Sequence, residues 1–140
     1  MAAFAFRSWV EISLGQIARN FEAVRGIVGP GVEVMPVVKA DAYRHGAVEV
    51  SRSLVASGAR WLAVSNVEEG AILRDAGIGA RILVMADFLP AERRGLLDYN
   101  LTPVIHCLED VRAWDELAAG LGVPATYDLK IGRASCRERV

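Results

Sequence analysis

The chain has 140 residues, of which 53% are hydrophobic and 24% charged, and its formal net charge is −1. This length suits one ordinary domain, and this composition supplies enough apolar surface for a folded core. The small net charge and the absence of a membrane-length apolar run give no basis for binding nucleic acid or a membrane. Two cysteines are too few for a disulfide scaffold, and MAAFAFRSWVEI is no secretory signal. We therefore expect a cytoplasmic, soluble domain.

The first part of the chain alternates between helical and strand patterns. Five apolar residues are spaced as one face of a helix: Leu14, Ile17, Phe21, Val24 and Val28. Gly-Pro-Gly at 29–31 ends this helix, because glycine tolerates left-handed backbone and proline cannot continue a helix. The apolar stretch 32–38 then predicts a short buried strand, and 45–60 a second helix.

The same two patterns recur along the rest of the chain. Strands are predicted at 61–65, 81–85 and 101–107, and a last one begins in 125–131. Helices are predicted at 66–77, 91–100 and 108–122. Asn66 is expected to cap the first of these helices, with Glu69 at the capping-box position. Five apolar side chains of the last helix are expected to face inward: Leu108, Val111, Trp114, Leu117 and Leu121.

About five near-continuously apolar strands that alternate with helices indicate a parallel sheet covered by helices. A doubly wound open sheet and a (β/α)8 barrel are both compatible with this order. No GxGxxG follows the first strand, as a nucleotide-binding open sheet often has. We therefore favour an α/β fold that is about half of a (β/α)8 TIM barrel.

Functional groups of both architectures gather where the strands end. The residues at those ends are, in chain order, Lys39, Ser65, Asn66, Met85, Asp87, His106 and Lys130. A lysine in a low-dielectric pocket favours its neutral amine, which forms Schiff bases with aldehydes such as pyridoxal phosphate. Tyr43 follows closely and offers a hydroxyl to a phosphate, near a helix start at His45 and Gly46. Spacing alone leaves open that Lys39 extends into solvent and Tyr43 packs against a neighbour.

Other residues have simpler expected roles. His106 is either catalytic or only hydrogen-bonded, and Asp41 either forms an ion pair or caps the turn. Glu68 and Glu69 are expected to be a solvated helix start. Three tryptophans are expected to anchor the packing: Trp9, Trp61 and Trp114.

Four segments resemble the bacterial alanine racemase family in order and separation: WVEISLGQIARNF, VMPVVKADAYRHGA, WLAVSNVEEGAILRDAGI and RILVM. The resemblance runs from about Trp9 to Lys130, and its KADAY-x-HG core is the most specific part. It implies a homodimeric pyridoxal 5'-phosphate enzyme with an N-terminal (β/α)8 barrel and a C-terminal β domain. Such an enzyme, an isomerase, interconverts L-alanine and D-alanine and supplies D-alanine for peptidoglycan in the cell wall.

The resemblance also implies roles for three residues. Lys39 corresponds to the lysine that carries the cofactor and acts as a base on one face of the substrate Cα. Tyr43 corresponds to the tyrosine that contacts the cofactor phosphate. Lys130 corresponds to a lysine that is carboxylated in many members and positions a substrate-binding arginine. No metal is implied.

The chain departs from the family in two places. Arg44 replaces the usual glycine, which costs about 1–2 kcal/mol if the backbone there is left-handed; we expect a tolerated variant. After Lys130, IGRASCRERV equals one reading frame of a common sequencing-library adapter. We therefore expect residues 1–130 to be a partial N-terminal cofactor-binding barrel domain and 131–140 a non-native read-through tail that includes Cys136. A polypeptide of this extent is expected to aggregate and to lack racemase activity.

Several related readings stay open. A serine racemase of the same fold is hard to distinguish from an alanine racemase, because substrate-selecting residues are expected after Lys130. The D-threonine aldolase and decarboxylase groups and the single-domain cofactor-homeostasis proteins share the lysine-bearing first strand. A non-enzymatic binding module built on a half-barrel is the alternative outside enzymes.

Overall fold

The computed structural model describes residues 8–86 and 88–130, and over this part the chain alternates between helices and parallel strands. The helices are α1 (Leu14–Val28), α2 (Lys39–Arg44), α3 (Ala47–Ala56), α4 (Val67–Asp75), α5 (Arg93–Asp98) and α6 (Leu108–Leu121), with a 3-10 turn at Pro90–Glu92. The strands are β1 (Trp61–Val64), β2 (Arg81–Val84), β3 (Thr102–Ile105) and β4 (Asp128–Leu129). Asp87 and the predicted tail lie outside the described residues.

The four strands form parallel pairs in the order β1-β2-β3-β4, which confirms the predicted α/β fold. The strand predicted at 32–38 is much shorter than expected, since only Val37 forms a bridge, to Ala63 of β1. Val38 N donates to Ala63 O at 2.8 Å, and Ala63 N donates to Pro36 O at 2.9 Å. Pro36 has no N–H and cannot donate to a second neighbour, so it limits pairing here.

Side-chain caps mark where two of the helices begin. The Ser13 hydroxyl accepts from Gln16 N and begins α1, which ends before Gly29 at φ +79°. The Asn66 side chain accepts from Glu69 N at 2.9 Å and begins α4, as predicted. These caps satisfy amides at helix starts that have no partner within their own helix.

Alternation along the strands divides the core between the two faces of the sheet. On the outer face, strand residues pack in one cluster with helix residues, among them Leu62, Ile82, Leu73, Leu96 and Trp114. On the inner face, Ala63, Leu83 and Val104 form a second buried cluster. Trp61 and Met85 pack against that inner cluster.

Some predicted core positions are wrong. In α6, Trp114 is 1% exposed, but Leu108 is 58% exposed. Leu108 lies about 120° around the helix from Trp114, so it faces away from the core. Leu121 ends the helix and is also exposed, and Ala118 is buried in its place.

Two further apolar predictions also fail. Val24 and Val28, in the second half of α1, are exposed, and only Phe21 of that helix is buried. Trp9 is 76% exposed, so it is not a packing anchor within the described residues, whereas Trp61 is half-buried and packs against the inner cluster as predicted.

Gly70 marks a close approach between α4 and the start of β3. A Cβ built on Gly70 would lie 2.7 Å and 2.9 Å from the two methyl carbons of Leu101, which is buried. We expect Gly70→Ala to lower the free energy of unfolding by about 1–3 kcal/mol, because the packed Leu101 side chain must shift.

Gly26 is the matched control, since it lies in α1 and a Cβ there meets nothing within 4 Å. Gly26→Ala should raise the free energy of unfolding by about 0.5–1 kcal/mol through helix propensity. Urea unfolding of both variants decides the matter, and a Gly70→Ala protein as stable as the parent would contradict the described contact.

Candidate functional site

The sheet register brings most of the predicted strand-end residues to one edge. On the inner face Ala63 is partnered by both Val37 and Leu83, and Val104 is partnered by Asp128. Alternation places the residue two positions further along on the same face, nearer the carboxyl edge. These residues are Ser65, Met85, His106 and Lys130. Lys39 stands at the same edge, but Val38 before it has a ψ of 21°, so the extended backbone has ended and alternation does not assign its face.

Pairing extends past two of the strands and supports this placement. Met85 N donates to Val64 O at 2.9 Å, and Lys130 N donates to Ile105 O at 2.9 Å. Lys39 and Lys130 therefore share an edge, as predicted, but stand at opposite ends of the described sheet with β1, β2 and β3 between them. Asn66 has an exposed side chain that caps α4, which is a structural role.

Lys39 is half-buried and begins an unusual backbone turn. Every following residue of α2 has positive φ: Ala40 at 51°, Asp41 at 56°, Ala42 at 51°, Tyr43 at 55° and Arg44 at 67°. We call α2 the left-handed turn. Left-handed helix costs roughly 1–2 kcal/mol for each non-glycine residue, so surrounding contacts must hold this backbone.

Contacts on one side of the left-handed turn come from the start of α3. The Asp41 side chain accepts from Ala47 N at 2.7 Å, so Asp41 caps α3, one of its two predicted roles. A helix start favours a negative charge, and the Asp41 carboxylate supplies it at the start of α3. The sequence suggests a phosphate near this same helix start. Ala42 is buried in the main core, and His45 Nδ1 lies 2.8 Å from Ala42 O.

Glu69 holds the other side of the left-handed turn. Its Oε1 accepts from Ala40 N at 2.7 Å, and its Oε2 accepts from Ser65 N at 2.8 Å and from Ser65 Oγ at 2.9 Å. The prediction of a solvated pair is therefore wrong for Glu69, although Glu68 is exposed. The capping-box spacing was a usable signal, but the carboxylate bonds the residue before the cap and a distant amide.

The polar ends of the three predicted site residues make no hydrogen bond or ion pair within residues 8–86 and 88–130. They are the Lys39 amine, the Tyr43 hydroxyl and the Lys130 amine. Tyr43 is 56% exposed and Lys130 is exposed as well. The structure thus places Lys39 and Tyr43 on one turn and leaves both available to a ligand.

Other features near the carboxyl edge are less suited to catalysis. His106 is exposed and already engaged in an interaction. The next residue, Cys107, donates its thiol to Asp110 Oδ2 at 3.2 Å. A backbone hydrogen bond from Asp110 lowers the pKa of Cys107, but hydrogen bonds to the Asp110 and Glu109 carboxylates, desolvation and the Asp110 charge together raise that pKa above its ordinary value. A thiol with a raised pKa is a poor nucleophile at neutral pH.

Two cavities of the described chain have neither Lys39 nor Lys130 in their lining. One of about 420 Å³ lies where strands begin and includes Trp61, Arg81 and Thr102. An apolar groove of about 370 Å³ runs along Phe21, Val37 and Val50. In the part of the chain that the structure describes, no three His, Cys, Asp or Glu residues are arranged to hold a metal. Within that same part, no helix has the length and apolar character to cross a membrane.

The fold and the lysine at its carboxyl edge define a class of protein. A parallel sheet covered by helices, with a lysine at its carboxyl edge, is a segment of a barrel-type α/β domain. The family described as "Alanine racemase, N-terminal domain" matches residues 12–134. The chain therefore belongs to the alanine racemase N-terminal domain family.

Individual relatives agree with this membership. The alanine racemase of Carboxydothermus hydrogenoformans is 44% identical over 123 residues, which are 88% of this chain and 33% of that protein. That of Halothermothrix orenii is 38% identical over 136 residues, which are 94% of this chain and 36% of that protein. The chain thus spans about a third of the length of these relatives.

Solved structures resemble the fold closely. An alanine racemase from Clostridium difficile 630 matches with a TM-score of 0.88 at 30% identity, over 96% of this chain and 36% of that one. The alanine racemase from Streptomyces coelicolor A3(2) matches with a TM-score of 0.79 at 33% identity, over 90% of this chain and 35% of that one. These likenesses agree with the predicted partial barrel.

The sign of one substitution tests the left-handed turn. We expect Arg44→Gly to raise the free energy of unfolding by about 0.5–1 kcal/mol, because relief at positive φ exceeds the entropy that glycine adds to the unfolded chain. The Arg44 side chain is exposed, so the substitution removes little packing. We expect no large change in function, since arginine here is tolerated.

Arg112 provides the matched control, as an exposed arginine in the right-handed helix α6. Arg112→Gly should lower the free energy of unfolding by about 1 kcal/mol. Urea unfolding gives both values. A loss of stability in both variants would argue against positive φ at Arg44. A large rise in activity in Arg44→Gly would contradict the expectation that arginine is tolerated at this position.

Proposed function

We propose that this chain is the cofactor-lysine segment of an alanine racemase, an isomerase that uses pyridoxal 5'-phosphate to interconvert L-alanine and D-alanine. The observation that carries the proposal is the placement of Lys39, half-buried at the carboxyl edge of the sheet. Membership of the family supports it, because the named relatives are alanine racemases. The relatives are about three times longer, so activity is proposed for a protein of their extent.

The residues present fit the cofactor. Lys39 offers a primary amine that can bond its aldehyde, and Tyr43, four residues on, offers a hydroxyl to its phosphate. Neither group is engaged by the described part of the chain. When bound, pyridoxal phosphate withdraws electrons from the Cα of an attached amino acid.

Each residue has a separate task in this proposal. The Lys39 amine attaches the cofactor and then holds or returns a proton on one face of the alanine Cα. Tyr43 orients the phosphate end. Lys130, on the same edge but at the far end of the described sheet, is carboxylated and orients a substrate-binding arginine. Racemisation needs a second base on the opposite face, because one base alone returns the proton to the side it left.

The finer properties of the complete protein follow from the same family membership. We propose a cytoplasmic homodimer whose D-alanine product serves peptidoglycan synthesis. Serine in place of alanine is the alternative substrate. The aldolase, decarboxylase and cofactor-homeostasis alternatives share the lysine, and relatives named as alanine racemases favour the racemase over them.

The attachment site can be tested directly. We expect pyridoxal phosphate, trapped with borohydride and located by peptide mapping, to label Lys39 preferentially. Lys39→Ala should lose the label, and Lys130→Ala should keep it, since Lys130 lies three strands away. Preferential labelling of Lys130, or uniform labelling of both lysines, would contradict the proposed role.

In the complete gene product, Lys39→Ala should abolish alanine racemisation while the parent enzyme turns alanine over. A parent that racemises serine but not alanine would select the alternative substrate. Turnover that survives loss of Lys39 would contradict the proposed role of this residue.

We also infer that the natural segment ends at Lys130 and that residues 131–140 are read-through, so that the domain portion is 1–130. The family match runs four residues beyond Lys130. Sequencing the coding DNA tests this inference: adapter codons after Lys130 support it, and any other codons contradict it.

A further inference from the structure

The carboxylate of Glu69 connects the residue after Lys39 to the residue after β1. It comes from the first turn of α4, and its two oxygens reach the amide of Ala40 and both the amide and hydroxyl of Ser65. We propose that Glu69 is a positioning residue that fixes the backbone directly after Lys39 and thereby sets the direction of the Lys39 side chain. This inference rests on the proposed role of Lys39.

The bond to Ala40 acts on Lys39 through the peptide plane that joins them. Because that plane is rigid, fixing the direction of the Ala40 N–H fixes the ψ angle of Lys39. Ala40 is also the first residue of the left-handed turn with positive φ. The first N–H groups of a helix have no partner inside it, so Ala40 N needs an acceptor from elsewhere.

The other oxygen anchors the carboxylate itself. Ser65 follows β1 and donates both its N–H and its hydroxyl to Oε2. Val38 N donates to the carbonyl of Ala63, two residues before Ser65. The Glu69 carboxylate therefore links the same two segments again, just beyond this last backbone hydrogen bond. The cap from Asn66 to Glu69 N holds the backbone of Glu69 in place. Lys39 is therefore tied to β1 on both sides of its own residue.

The chemistry requires a carboxylate rather than a side chain of similar shape. Both oxygens of Glu69 accept, whereas the amide of glutamine has one oxygen and an NH₂ group that only donates. In Glu69→Gln one N–H of the protein therefore faces another donor. A role in packing alone would survive this isosteric change, but a role as a double acceptor would not.

The first arm of the test measures amide hydrogen exchange in the complete gene product, purified without cofactor. We expect the Ala40 amide to exchange at least about tenfold faster in Glu69→Gln and in Glu69→Ala, as the loss of a charged hydrogen bond implies. The neighbouring Glu68→Ala, whose side chain is exposed, should leave it unchanged. Unchanged exchange of Ala40 in Glu69→Gln would overturn the proposal.

The second arm measures the rate at which pyridoxal phosphate labels Lys39 with borohydride trapping. We expect a loss of about tenfold in Glu69→Gln and in Glu69→Ala. We expect less than about a twofold change in Gly70→Ala, which loosens the same helix but keeps the three hydrogen bonds. Equal losses in Glu69→Gln and Gly70→Ala would reduce Glu69 to a general structural role and overturn the proposal.

The two arms separate this inference from the proposed function. If the parent protein does not label Lys39, the proposed function fails, and the Ala40 exchange rate still decides whether Glu69 holds the turn. If the parent labels Lys39 and the Glu69 variants label it as fast, the proposed function stands and the positioning role is wrong.

Discussion

Five consecutive residues with positive φ, none of them glycine, form the backbone behind Lys39, and the site depends on that constraint. A left-handed turn is unfavourable for L-residues and persists only where other contacts hold it. Three contacts do so here: burial of Ala42, the cap from Asp41 to α3 and the hydrogen bond from Ala40 to Glu69. Each contact comes from a different part of the chain, so the turn is a product of the assembled fold.

The turn connects the sheet to the proposed chemistry. It stops the sheet after Val38, leaves Lys39 at the carboxyl edge and places the exposed Tyr43 within the same few residues. A right-handed helix in this place would orient the residues after Lys39 differently and would remove the Ala40 amide from Glu69. Fixed geometry at a reacting amine matters because small displacements of a catalytic group cost large factors in rate.

Much of the fold was predictable from the sequence, because apolar strands and amphipathic helices alternate with clear boundaries. The position of Lys39 at a strand end followed from the same pattern. The left-handed turn was not predictable, since alanine, tyrosine and arginine carry no local preference for positive φ and tertiary contacts override propensity. Glu69 was missed for a related reason: its spacing from Asn66 is a local signal, but Ala40 lies 29 residues away. Leu108 was misassigned because it faces away from the core, and Leu121 because the helix ends there.

The central claim is the left-handed backbone of residues 40–44 held by Glu69. A crystal structure of the protein at a resolution that defines main-chain torsion angles tests it most directly. The account predicts φ between about 51° and 67° at these five residues and a hydrogen bond from Ala40 N to the Glu69 carboxylate. A right-handed helix over this segment, or a Glu69 side chain turned into solvent, would contradict it.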